Sequence, residues 1–221
     1  MSWTNQMAAV TGAGSGIGRA IAQMMAARGA SVAAVDLDIV TATETVERIT
    51  QAGGRAASYQ ADVSQAAEID RAITAATADL GPLHIMVNNA GILDGYFNVD
   101  ETDEELWRRV IDIDLTSVFL GCKRALQEML PRGQGRIINM ASVAGLGGTG
   151  GGAAYIAAKH GVVGLTRQMA VVYTKRGITI NCVCPGAIPT NLREHSQELL
   201  GPNVPDIRSR GWRSTRIRSE I

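Results

Sequence analysis

Apolar and polar positions alternate in two rhythms along this chain. Short apolar runs near 7–11, 31–35, 56–61, 83–88, 134–141 and 178–184 have strand character. Longer stretches near 17–28, 40–52, 65–79, 103–130 and 153–175 carry apolar residues at helical spacing, the fourth open to interruption. Gly29, Gly53-Gly54, Gly81-Pro82, Gly133-Gln134-Gly135 and Gly177 punctuate them. Strands alternating with helices predict an α/β fold: a doubly wound parallel sheet with helices on both faces. Such sheets bind ligands beyond the carboxyl ends of their strands, where strand order reverses. The glycine turn at 11–18, Asp36, Asp62, Asn88 and Ser142 all follow predicted strands, so they converge on one sheet edge.

The first of these turns is Thr11-Gly12-Ala13-Gly14-Ser15-Gly16-Ile17-Gly18, between a strand and a helix. Glycines let the backbone approach a diphosphate, and a helix N-terminus supplies N–H groups and a positive dipole end. By itself the pattern is equally a tight turn; its context between strand and helix favours the phosphate role. Asp36 ends the second predicted strand, where a carboxylate can accept both hydroxyls of an adenosine ribose and repel a 2′-phosphate. Ser15 fits the same choice, since the turn itself contains no Arg or Lys. A helix N-cap is the structural alternative for Asp36. NAD is therefore the expected cofactor, in preference to NADP.

Tyr155 and Lys159 lie four residues apart in YIAAK, one helical turn, and so project from the same face. An ammonium beside a phenol favours the phenolate, which predicts a lowered Tyr155 pKa and a proton donor or acceptor for a carbonyl oxygen. Ser142 ends the apolar run RIINMAS, where its hydroxyl could bind that oxygen. Alone, the Tyr–Lys pair is also what any amphipathic helix presents. The glycine-rich run GLGGTGGG, Gly145 to Gly152, lies between Ser142 and Tyr155. It reads as a flexible loop that passes close to the reacting centre and helps form the substrate mouth.

TGAGSGIG, NNAG (Asn88 to Gly91), Ser142, YIAAK and PGAIPT, in this order, resemble the short-chain dehydrogenase/reductase family from about Ala8 to about Thr190. The resemblance implies a Rossmann-type domain over 1–190 and a substrate-cover segment over 191–207. It implies cofactor contacts from Gly12, Ser15, Gly16, Ile17, Gly18 and Asp36, and from Asp62 and the Val63 N–H at the adenine. Asn88, Ala90 and Gly91 would stabilise the central sheet and line the adenine-ribose side. Pro185, Gly186, Ile188 and Thr190 would cover the nicotinamide, and Lys159 would hold its ribose. For Asp62 the alternative is a cap on the following helix; for 185–190 it is a plain turn. The catalytic assignment is Ser142 on the substrate oxygen, Tyr155 as acid/base and Lys159 as its tuner, giving hydride transfer between NAD(H) and an alcohol or ketone. The helix at 106–129, with Val110, Ile113, Val118, Leu126 and Met129 on its apolar face, is expected in the core. In relatives of this architecture it builds a subunit interface, so a homo-oligomer, dimer or tetramer, is expected.

The chain departs from the family twice. Where relatives carry an Asn that anchors a relay water to the Lys, this chain has Asp114, in Asp114-Leu115-Thr116-Ser117-Val118-Phe119. A carboxylate lacks the amide donor and adds negative charge near Lys159. Second, after a plausible cover, NLREHSQELLGPNVPDI, the chain turns to RSRGWRSTRIRSEI, an Arg-rich tail over 208–221 with five arginines and no readable seventh strand. A truncated or frame-shifted C-terminus is expected, with a tail for an acidic partner as the alternative. An uncovered sixth strand would be an aggregation hazard.

Length and composition narrow the partners. A chain of 221 residues suffices for one sizeable core. Lys plus Arg equals Asp plus Glu at 21 each, which argues against nucleic acid or membrane partners. Three cysteines form no disulfide framework, and Cys182 and Cys184 in NCVC should share one strand face as small hydrophobes. Three scattered histidines suggest no metal site. No signal peptide or membrane span is readable, and a reduced, cytoplasmic protein is expected. Leu93, Tyr96, Phe97, Leu146 and Leu192, on loops at 92–98, 143–152 and 190–205, suggest a partly apolar cavity for a hydrophobic or cyclic alcohol or ketone. The competing reading is a catalytically impaired NAD-binding scaffold or truncated gene product: Ser142, Tyr155 and Lys159 favour turnover, Asp114 and the C-terminus oppose it.

Overall fold

The computed structural model describes residues 2–188. Six strands, β1 (Met7–Thr11), β2 (Ser31–Asp36), β3 (Arg55–Gln60), β4 (Leu83–Asn88), β5 (Gly135–Met140) and β6 (Ile178–Val183), form one parallel sheet in the order β3-β2-β1-β4-β5-β6. The helices are α1 (Gly16–Ala27), α2 (Ile39–Gln51), α3 (Ala66–Leu80), α4 (Glu104–Ile111), α5 (Ser117–Met129) and α6 (Ala153–Tyr173). The doubly wound, Rossmann-type fold is as expected, with element ends moved by only one or two residues.

Strand periodicity assigns the two faces. Met7 and Ala9 of β1 join a core with Ile69 and Ile73 of α3, Val118 and Met129 of α5, and Val162 and Met169 of α6. Ala8 and Val10 point the other way, to Ala22, Met25 and Ala26 of α1 and Ile49 of α2. β1 is buried on both sides, and its run MAAVT is accordingly apolar apart from Thr11. Strand order reverses between β1 and β4, which opens the crevice above their carboxyl ends.

The stretch predicted as one helix over 103–130 is interrupted. One π-helical turn, Asp112–Thr116, joins α4 to α5 and carries Asp114. Such turns insert an extra residue into the helical ladder and occur at functional sites. Val110, Val118, Leu126 and Met129 are buried as expected, and Ile113 is half-buried. A polar network crosses the core: Asn88 Nδ2 donates to Asn139 Oδ1 at 2.8 Å, and Asn139 Nδ2 to Thr166 Oγ1 at 3.0 Å. It ties β4 and β5 to α6. Cys182 and Cys184 lie close enough to influence each other, consistent with one shared face, and all three cysteines are free. No helix among the described residues is long and apolar enough to cross a membrane. Thr190, Leu192, the cover segment, the Arg-rich tail and any seventh strand lie outside the described residues.

Candidate active site

The glycine turn closes against the start of the NNAG segment. Gly12 and Gly16 have φ of 64° and 50°, a conformation costly for any side chain. Gly18 packs so tightly under the turn that a Cβ would fall 2.6 Å from Asn89 Nδ2. Asn89 Nδ2 donates to Thr11 O at 2.9 Å, and Thr11 Oγ1 accepts from Asn89 N at 2.9 Å and Ala90 N at 3.1 Å. Thr11 and Asn89 are thus supports that motif reading passed over. Ser15 is the N-cap residue of α1, yet its side chain makes no capping hydrogen bond. The first-turn N–H groups of a helix have no partner within the helix itself and are the usual anion donors.

Asp36 is not the cap of α2. That role belongs to Asp38, whose Oδ1 accepts from Val40 N at 2.9 Å. Asp36 instead reaches across to the glycine turn, accepting from Gly14 N at 2.8 Å and Asp38 N at 3.1 Å. Arg19 follows the turn directly, but its guanidinium bonds Gly14 O and Thr41 O and pairs with Glu44 at 3.1 Å. Asp62 Oδ1 is bonded within its own turn, to Ser64 N at 2.9 Å and Ser64 Oγ at 2.7 Å, and does not cap the following helix. The cap position of α3 itself falls on Gln65. Val63 and Asn88 turn their side chains into the core, which is the sheet-stabilising half of the role the resemblance implied for Asn88. Ile17 packs beside the second core.

The reactive side chains gather beyond β5. Ser142 Oγ accepts from Ala144 N at 3.2 Å and lies close enough to the Tyr155 phenol to favour its ionised form. The backbone there is pinned by Val143 N donating to Pro185 O at 3.0 Å. Gly186 and Ile188 continue this segment, Ile188 half-exposed. α6 holds Tyr155 and Lys159 on one face, with Lys159 Nζ 5.3 Å from the phenol ring centre. The glycine-rich run does reach the centre, since a Cβ on Gly151 would lie 3.1 Å from Tyr155 Cγ.

Lys159 and Asp114 form an ion pair at 2.8 Å, the aspartate fully buried and the lysine 4% exposed. Asp114 Oδ2 also accepts from Ile92 N at 3.1 Å, and Lys159 Nζ donates to Met140 O at 3.3 Å. Burial pushes the Asp114 carboxyl above the usual carboxylate range, against the pull of Lys159. Burial pulls the Lys159 ammonium down, but Asp114 and Tyr155 outweigh it and hold the lysine protonated. The expected lowering of Tyr155 is not found. Burial pushes its phenol up, and Asp114 adds to this; Lys159 and Ser142 oppose but do not reverse it. The Lys159 ammonium alone would lower the phenol, but desolvation and the Asp114 carboxylate both act the other way.

Gly91 touches this pair, since a Cβ there would lie 2.6 Å from Asp114 Oδ1 and 3.3 Å from Lys159 Nζ. Gly91→Ala is expected to cost about 1–3 kcal/mol by overpacking. Thermal unfolding would show it, and an unchanged Tm would mean that the pair can yield without cost.

Comparison with known proteins agrees with this arrangement. The family model for short chain dehydrogenase matches residues 6–200. The chain is 43% identical over 207 residues to 2-(S)-hydroxypropyl-CoM dehydrogenase 3 of Xanthobacter autotrophicus, covering 93% of this chain and 80% of that protein. It is equally 43% identical, over 183 residues (82% and 77% of the two chains), to a protein of the same organism named inactive 2-(S)-hydroxypropyl-CoM dehydrogenase 2. Cyclohexanol dehydrogenase of an Acinetobacter species is 41% identical over 196 residues, 89% and 78% of the two chains. The crystal structure of levodione reductase superposes with a TM-score of 0.86 at 38% identity, over 92% of this chain and 80% of the other. The chain belongs to the short-chain dehydrogenase/reductase family of oxidoreductases.

Proposed function

We propose that the chain transfers a hydride between NAD(H) and the carbon of a secondary alcohol or ketone, with Tyr155 as general acid/base. The observation that carries this reading is the meeting of Ser142, Tyr155 and Lys159 at the carboxyl end of β5, in the crevice next to the glycine turn. The glycine turn, the α1 N-terminus and Asp36 line the same end of the crevice, with the polarity that a dinucleotide needs. When bound, the nicotinamide accepts or supplies the hydride. Ser142 holds the substrate oxygen by a hydrogen bond and stabilises charge there. In oxidation, ionised Tyr155 takes the hydroxyl proton as the carbinol hydride leaves; in reduction, the phenol returns it. Lys159 steadies the phenolate, and Asp114 holds Lys159 in place and charged.

Support for NAD over NADP is the charge at the ribose end. Asp36 carries a carboxylate there, and Arg19 is already committed to Glu44 and the turn. Asp36→Ala should weaken NADH binding about 10-fold or more, the scale of a charge-assisted hydrogen bond, and narrow the NADH/NADPH ratio. Parallel fluorescence titrations with both cofactors would test it; an unchanged ratio would remove Asp36 as the selector.

For the substrate, the buried Leu93 and half-buried Tyr96 and Phe97 beside Tyr155 support a hydrophobic or cyclic alcohol or ketone. Assembly as a dimer or tetramer and a cytoplasmic setting belong to the same reading. A second reading, a cofactor-binding chain with impaired turnover, is favoured by one observation: Asp114 occupies Lys159 directly, where relatives are expected to place a neutral relay. Assaying cyclohexanol oxidation after an NADH titration separates the two. Binding with turnover supports the first, and binding without turnover of any alcohol or ketone supports the second.

A further inference from the structure

We infer that Asp94 is a positioning residue for the reaction proposed above: a buried carboxylate that clamps the N-terminus of α6, and Tyr155 with it, to the turn that carries Tyr96. The helix cannot cap itself. Its N-cap residue is Gly152, which has no side chain, and the first turn of any helix leaves its N–H groups without partners. There is also no room for a capping side chain at this position. A Cβ on Gly152 would lie 2.7 Å from Asp94 Oδ2 and 2.6 Å from Phe97 O.

The cap comes from a remote loop. Asp94 Oδ1 accepts from Gly152 N at 2.8 Å, and Oδ2 accepts from Tyr155 N at 2.9 Å. Phe97 O takes the N–H of Ala153 between them, at 3.0 Å. The carboxylate is fully buried and lies at the positive end of the helix dipole, where its charge is stabilised. The N–H bonded to Oδ2 belongs to Tyr155 itself. Asp94 therefore fixes this residue through its main chain, while Ser142 and Lys159 act on its phenol.

The same carboxylate shapes the loop it comes from. Oδ1 also accepts from Tyr96 N at 3.2 Å. Gly95 and Tyr96 have φ of 71° and 65°, two successive left-handed residues, and the conformation is unfavourable for a bulky tyrosine. Strain of this kind persists where the surroundings hold it, and such places cluster at functional sites. Here it directs Tyr96 close enough to Tyr155 to influence its ionisation. One side chain thus joins the acid/base residue to the wall of the substrate mouth, so neither can shift without the other.

Asp94→Asn tests this with almost no change of volume. The amide oxygen still accepts, but the NH2 cannot, so one arm of the clamp is lost. Two readouts are taken on the full chain: cyclohexanol oxidation with NAD, and titration of the Tyr155 phenol by 13Cζ-tyrosine NMR, its signal assigned with Tyr155→Phe. A loosened helix end admits water and relieves the desolvation that raises the phenol, so its midpoint should fall. In parallel, kcat should drop about 10–100-fold while the KM for NAD stays within about twofold. A lowered Tm with kcat and the Tyr155 midpoint both as in the parent would reduce Asp94 to a plain helix cap and overturn the inference. If the parent chain oxidises nothing, the oxidoreductase reading fails separately, and the Tyr155 midpoint alone decides the role of Asp94. Asp94→Ala removes both arms and should magnify the shift; should it fail to fold, the Asn variant carries the test.

Discussion

Tyr155→Phe is expected to lower turnover by about 10²–10⁴-fold, the usual contribution of a positioned acid/base group, while leaving NADH affinity within about twofold. The change deletes one oxygen from a buried side chain that packs in a small apolar cluster, so the core around it should persist. Burial and Asp114 hold the phenol above its ordinary value. The sign of the pH dependence follows. Reduction uses the protonated phenol and should be flat through neutral pH, falling only as the phenol ionises. Oxidation needs the phenolate and should climb as pH rises. Steady-state rates in both directions, with stopped-flow or fluorescence binding of NADH, would check this. Loss of binding in step with turnover would count against the assigned role, and oxidation that peaks at neutral pH would count against the raised phenol.

Asp114→Asn should move the alkaline limb of oxidation toward lower pH and raise turnover at neutral pH by about 3–10-fold. Asp114 is among the influences that hold Tyr155 protonated, and the amide removes that influence while still offering Lys159 an oxygen. The gain has a structural cost. The pair is buried, and withdrawing one charge leaves Lys159 without its ionic partner, a loss of up to about 3 kcal/mol. A faster enzyme with a lower Tm is the expected outcome, from pH profiles of kcat and thermal unfolding of both forms. An unmoved limb would show that Tyr155 does not sense Asp114. A fall in turnover would show that the carboxylate takes part in moving the proton away from Lys159.

The sheet was legible because its central strands are short apolar runs that end in polar or glycine-containing turns, and the helices between them keep their spacing. Ser142, Tyr155 and Lys159 were legible because one helical turn and one strand end are enough to bring them together. Other parts were not. The helix-cap alternative for Asp36 fell to Asp38, two residues on, which takes the cap. The Tyr155 ionisation differs from the spacing expectation because both the burial of the phenol and the charge of Asp114, on its π-helical turn, come from neighbours far apart in sequence. Asp94 was missed altogether. Its signal was indirect: an acidic residue in a short loop, and a helix whose N-cap is a glycine 58 positions later. Only the fold makes those two facts one interaction.

The strand order also has a consequence for how the chain is made. β1 needs β4 as a neighbour, and the Thr11 hydroxyl bonds Val87 O across 76 positions of sequence. At ribosomal speeds that interval takes roughly 4–15 s to synthesise. Until then β1 can pair only with β2, and one side of the most buried strand stays open to other chains. Newborn copies therefore pass through a window of seconds in which the inner edge of the sheet is exposed to neighbouring chains on a polysome.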